Sequence, residues 1–207
     1  MKPNFPEKEF IYKLNPTDHE EIGDVVDYII KNKIDITLVS ENHEIETHKE
    51  AELKLLSQLA SKNYLRSLGL ELPREEQSEF DLYSKGLISF DELLKKVGRL
   101  TSWAHGLKSF KPFFTAAKKD EIDINAFSKK DPWYYYVPPM LLFHDFYRFS
   151  LTKLMAEKIA EYATPSLNFV GNGHLKKMKF LIFLQLNNDT IVEYLPKGLS
   201  TYMVELK

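Results

Sequence analysis

The sequence predicts a single α/β domain, with a largely parallel central sheet flanked by helices. Three observations carry this reading. Short β-branched or apolar runs alternate with longer stretches whose apolar residues recur at helical spacing. No internal repeat and no low-complexity linker divides the 207 residues, so 1–207 reads as one domain. The composition, 43% hydrophobic and 28% charged, is that of an ordinary globular chain long enough to bury a core.

The elements follow in order. Residues 1–16 read as an irregular or strand-like lead-in. Thr17 and Asp18 are capping residues, Glu20 and Glu21 suit a first helical turn, and Ile22, Val25, Val26, Ile29 and Ile30 repeat at helical spacing. "KIDITLV" is a short buried strand. Residues 46–61 form a helix with Ala51, Leu55, Leu56 and Leu59 on its apolar face, which His48 shares. "LRSLGLEL" is a second strand, ended by Pro73. Residues 74–84 and 89–97 make two short helices around Gly86, a helical insertion. "FKPFFTAAKK" is a further helix and "EIDINAF" a third strand. "DPWYYYVPP" is an aromatic loop stiffened by prolines, and a long helix follows over about 140–162. "SLNFV" is a fourth strand, running into "GNGH". "KFLIFLQL", "TIVEYL" and "TYMVEL" read as C-terminal strands free to run antiparallel, the first with a helical alternative.

Charge and composition exclude several classes. With 28 basic and 30 acidic side chains, the net charge is -2. The lysines occur as scattered pairs, such as Lys95-Lys96 and Lys176-Lys177, and not as the basic stripe of a nucleic-acid binder. The chain has no cysteine, so it has no disulfide, thiolate nucleophile or cysteine-bound zinc. The N-terminal stretch lacks an apolar signal core, and the longest apolar runs are too short to span a bilayer. The expectation is a cytoplasmic protein, or a periplasmic one if this is a mature form. Oligomeric state is not readable.

The polar residues cluster where strands end. The first of the four alternating strands runs into Glu41 and His43, the second ends at Glu71, the third at Asn125, and the fourth at Asn172 and His174, flanked by Gly171 and Gly173. In a parallel sheet these carboxyl ends share one edge, where open α/β folds bind ligands. Carboxylates and imidazoles together relay protons near neutral pH. Two histidines and a glutamate also form a known catalytic zinc set, here His43, Glu71 and His174. Gly171 and Gly173 let the backbone approach a ligand closely. Each element has a plain structural reading as well: acids at a helix start, a core histidine, an ion pair of Glu71 with Arg74, a tight turn at "GNG".

These residues resemble a known family. "SENHEIETHKEAELKLL" is similar to the N-terminal motif of ChaN-like haem-uptake proteins, which share a superfamily with TIKI/TraB proteins and erythromycin esterases. Members carry a Gly-Glu-x-His type motif after the first strand, an acid after the second, and a late Gly-x-Gly-His type motif. The matching positions here are Glu41 and His43, Glu71, and Gly171-Asn172-Gly173-His174. His48 and Glu52 fall where ChaN-like proteins carry polar residues on the following helix. "TSWAHGLKSFKPFFTAAKKDEIDINA" and "LTKLMAEKIAEY" extend the likeness to about residues 33–180. The departures are Ser40 in place of the leading Gly, "NAFSKK" in place of an Asn-x-Pro-Arg pattern, and Thr152 and Lys153 where relatives often place an acid. The lipoprotein cysteine of bacterial ChaN is also absent. Lys129 or Lys130 would have to stand in for the missing arginine, without its planar fork.

The resemblance implies three readings. The first is hydrolysis of an ester, lactone or peptide: Glu41 or Glu71 is the base, His43 the acid/base or a metal ligand, and His174 a second ligand or stabiliser. A divalent metal is implied by TIKI-like relatives. His48, Glu52, Asn125, Gly171, Asn172 and Gly173 would line the ligand. The second is haem or iron binding, centred on "DPWYYYVPPMLLFHDFYRF", with Tyr134, Tyr135, Tyr136, His144 and Tyr147 as candidate ligands. The plain alternative for that segment is core or subunit contact. The third is a non-catalytic member of the family.

Overall fold

The structure, a computed structural model, describes residues 11–42, 45–97, 104–129, 144–171, 194–196 and 198–207. Among the described residues, six strands form one sheet in the order β1-β6-β2-β5-β3-β4. They are β1 (Ile11–Leu14), β2 (Ile36–Glu41), β3 (Ser67–Pro73), β4 (Asp123–Ser128), β5 (Ser166–Gly171) and β6 (Thr201–Leu206). Every pairing is parallel. The expected alternation of strand and helix is thus realised. The orientation left open for the C-terminal strands resolves against the antiparallel alternative at "TYMVEL", since β6 runs parallel between β1 and β2. "KFLIFLQL" lies outside the described residues, as does most of "TIVEYL".

Seven helices are described: α1 (His19–Lys31), α2 (Glu46–Ser61), α3 (Gln77–Ser84), α4 (Phe90–Val97), α5 (Ala104–Ser109), α6 (Lys111–Lys119) and α7 (His144–Ala160). Asp18 caps α1 by accepting from the backbone N–H groups of Glu20 and Glu21 at 3.0 Å. Pro112 is tolerated at the start of α6, where its missing N–H is not needed. Among the described residues, no helix is long and apolar enough to cross a membrane.

The two faces of the sheet are covered unequally. The larger core joins α1, α2, α3, α4 and α6 to the sheet through residues such as Ile22, Leu55, Phe80, Leu93, Phe114, Leu70 and Phe169. The smaller one sets Met155, Ala156 and Ile159 of α7 against Ile36, Leu38, Phe127 and Val170. A strand buried on both faces reads as a continuous apolar run, and β5, buried from Ser166 to Val170, is of this kind.

One edge of the sheet is closed by a side chain. Gln77 donates its amide to the Ile124 carbonyl at 2.7 Å and accepts from the Ala126 N–H at 2.7 Å. This carboxamide pairs with the outer rim of β4 as a neighbouring strand would, and so blunts an exposed edge.

Candidate functional site

The chain leaving β2 travels to β3, over β5. The chain leaving β5 travels the other way, to β6 on the far side of β2. The direction of the connections therefore reverses around β5, and in open α/β sheets such a reversal marks the crevice beyond the carboxyl ends.

Two strand ends meet there. Glu41, the last residue of β2, is in register with Gly171, the last of β5. On the other side, β5 pairs with β3 only as far as Leu70 and Phe169. Beyond that point Oε2 of Glu71 accepts the backbone N–H of Gly171 at 2.7 Å. A carboxylate thus takes the place of the next ladder carbonyl. The pairing of β3 with β4 is also irregular between Leu70 and Pro73. The sequence placed Glu41, Glu71 and Gly171 on one rim, and the fold brings them together.

A third element reaches this edge. Because α7 connects β4 to a parallel β5, it must run antiparallel to the strands. Its C-terminal end lies at the amino edge of the sheet, where Ser67, the first residue of β3, donates to the Ala163 carbonyl at 2.7 Å. With 17 residues the helix is about 25 Å long. Its first turns, carrying His144 and Tyr147, accordingly lie on the carboxyl side.

His48, expected to face the ligand, is buried on α2 with both ring nitrogens engaged. Nδ1 accepts the N–H of Asn42 at 3.1 Å, and Nε2 donates to the Lys207 carbonyl at 3.1 Å. The ring therefore carries its proton on Nε2 and ties the residue after β2 to the residue after β6. Glu52, one turn later on α2, is fully buried.

Asn125 is a correction. The strand does not stop there but continues to Ser128, and Asn125 is level with Gly69, not with Glu71. It lines a separate cavity of about 490 Å³ together with Asp81, Lys85, Lys118 and Asp123. A half-buried polar residue is tolerated in β4 because β4 is the edge strand.

His43, Asn172, Gly173 and His174 lie outside the described residues, as do Tyr134, Tyr135 and Tyr136. Among the described residues, no three His, Asp or Glu side chains are grouped to hold a metal ion.

Sequence reasoning did not single out Gly69 or Gln77, and it named Arg74 only as a partner for Glu71. Gly69 faces Asn168 across the β3–β5 pair, and any side chain there would collide with the Asn168 carboxamide. Gln77 seals β4, as described. Arg74, half-buried, opens the 3-10 turn Arg74–Glu76 directly after β3. Of these, only the glycine within a strand pattern is itself a recognisable signal of close approach. Burial, and next the charge of Glu161, hold the Tyr162 phenol above the usual range, and the charge of Arg74 acts against that rise.

Comparison with known proteins agrees with this architecture. Residues 31–132 match the family model described as haem-binding uptake, Tiki superfamily, ChaN. The solved structure titled "Cofacial heme binding to ChaN of Campylobacter jejuni" superimposes with a TM-score of 0.59 over 89% of this chain and 85% of that one, at 17% identity. At that identity the likeness is one of fold. No curated protein matches.

Proposed function

From the match of residues 31–132 to the ChaN/Tiki family model, we propose that this chain is a ChaN-like protein and binds haem at the carboxyl edge of its sheet. What supports the reading is the run of α7 antiparallel to the strands, which puts the backbone of its first turn, from His144 to Tyr147, on the carboxyl side of the sheet, the side on which β2, β3 and β5 end. Histidine and tyrosine are both haem axial ligands, so the chemistry of the available donors fits the group. The matched stretch 31–132 spans the two strands, β2 and β3, that deliver Glu41 and Glu71. Bound haem would supply an iron centre able to take such a ligand. The chain's own part is to offer the donor, to hold the rim open and to cover a hydrophobic macrocycle. Tyr134, Tyr135 and Tyr136 complete the candidate donors.

The test is a haem titration followed by the Soret band. A saturable shift at micromolar haem, weakened at least ten-fold by His144→Ala or Tyr147→Phe, is expected for the loss of an axial ligand. An unshifted spectrum would remove the proposal.

A second reading keeps hydrolysis, with or without a divalent metal. Its support is the pair of acids on either side of Gly171. One Glu71 oxygen is already committed to Gly171, so the base role falls to Glu41, with His43 and His174 as acid or metal ligands. Ester, lactone and peptide substrates, tried with and without metal, decide it. Equal, slow turnover by wild type and His43→Ala would dismiss catalysis. Silence in both assays leaves a non-catalytic member of the family.

A further inference from the structure

The carboxyl edge also carries a cation with no anionic partner among the described residues. Arg74 follows Pro73, the last residue of β3, and Pro73 is level with Ser128, the last of β4. Arg74 therefore leaves the sheet on the same edge as Glu41, Glu71 and Gly171. Its carbonyl accepts the Gln77 N–H, but its side chain makes no hydrogen bond or ion pair with a described residue, whereas Lys62, Lys96, Lys153 and Lys158 each pair with a carboxylate; the residue as a whole is half-buried. The group its charge reaches is the phenol of Tyr162, whose O–H is already donated to the Ala126 carbonyl at 2.9 Å. A phenol is not a counterion. Arg66, by contrast, is exposed just before the same strand begins, where water solvates its charge.

Withdrawing a guanidinium from water without an anion is costly, and an arriving anion recovers that cost. We infer that Arg74 grips a carboxylate of the ligand at this edge. Its five donors form a planar fork that meets both oxygens of a carboxylate at once, which a lysine cannot do. Lys129, one of the two stand-ins for the arginine missing from the resembled pattern, is exposed beyond the end of β4, and Lys130, the other, lies outside the described residues. The inference rests on the haem reading, in which the carboxylates are the propionates of the macrocycle. It adds that the site selects for those carboxylates, and not only for a flat apolar ring.

The experiment compares haem with haem dimethyl ester, which keeps the ring and the iron but has no carboxylates. Both are titrated into wild type, R74Q and R74K, with circular dichroism confirming the fold of each. Wild type should bind haem roughly ten- to hundred-fold more tightly than the diester, the range of one charge-assisted pair. R74Q should bind the two within about three-fold of each other, and R74K should fall between. Full preference for haem in R74Q overturns the inference and leaves haem binding intact. No Soret change with either compound in wild type overturns the haem reading, and this inference with it.

Discussion

Replacing Gly69 with alanine should destabilise the domain by about 1–5 kcal/mol, although it adds only one methyl group. Gly69 lies in the middle of β3 with β5 on one side and β4 on the other. A Cβ built there falls on the carboxamide of Asn168, 3.0 Å from Cγ and closer still to Oδ1, and 3.1 Å from Cδ1 of Phe127. Neither neighbour has room to give, since both are fully buried. Asn168 donates to Ser166 Oγ at 2.9 Å and toward the Thr37 carbonyl at 3.4 Å. Moving it would strain or break those bonds inside the sheet. Overpacking costs about 1–3 kcal/mol. Unsatisfying a buried polar group costs about 1–3 kcal/mol more. The lower conformational entropy of alanine in the unfolded chain returns about 0.5–1 kcal/mol. Urea unfolding monitored by circular dichroism measures the sum. A double-mutant cycle with Asn168→Ala isolates the cause, because removing the carboxamide should recover at least about 1 kcal/mol of the Gly69→Ala deficit. A Gly69→Ala protein within about 0.5 kcal/mol of wild type, or a strictly additive cycle, would refute this account of the contact.

Three further outcomes are expected. His48→Leu removes both the acceptor of the Asn42 N–H and the donor to Lys207; it should cost about 1–3 kcal/mol and speed hydrogen exchange at the Asn42 amide, and unchanged exchange would count against the tie. Gln77→Leu strips the Ile124 carbonyl and Ala126 N–H of their partner, so stability should drop by about 1–3 kcal/mol and self-association through the bared strand should appear by size-exclusion chromatography. Alkaline stability should be governed by buried phenols. Tyr12 is pushed up to about 12, first by burial and then by its hydrogen bond to Glu21, and burial also holds Tyr162 and Tyr202 above the ordinary range. The fold thus retains protons that the unfolded chain releases near pH 10 (the ordinary phenol value), so this contribution is intact below about pH 10 and is lost as pH rises through 12. Absorbance at 295 nm should show these phenols ionising only as the protein unfolds, and smooth titration of every tyrosine near pH 10 in folded protein would contradict it.

Local patterning was readable and pairing was not. The helix read over 46–61 is α2, Glu46–Ser61, because its apolar spacing and flanking polar residues are properties of one segment. The strand ended by Pro73 is β3 for the same reason. By contrast, α5 has too few residues for periodicity to register. Asn125 interrupts the apolar run of β4, so polarity alone misplaces the carboxyl end of the strand, which lies at Ser128. The Gly69–Asn168 contact needs the knowledge that β5 inserts between β2 and β3, and nothing in either segment reports that order. His48 shows the limit most clearly. A histidine on the apolar face of a helix is equally consistent with a ligand-facing ring and with a strut, and only the positions of Asn42 and Lys207 distinguish them.

The same non-locality shapes the carboxyl edge where we propose the site. Two parallel strands stay together while each backbone N–H finds a carbonyl on its neighbour. Between β3 and β5 that ladder ends at Leu70 and Phe169, and the Gly171 N–H is taken by the Glu71 side chain instead. A side chain is longer than the carbonyl it replaces, so the strands can part without leaving a polar group unsatisfied. Gly171 has no Cβ to obstruct the carboxylate. This substitution sits at the point where the connections reverse, between β5 and β3, with β6 and β2 separating β5 from β1. The charge introduced there is that of the ladder substitute itself. The proposed anionic ligand would consequently have to be held from elsewhere on this edge, and Arg74, a half-buried residue three positions further along the same strand exit, is the cation we propose for it.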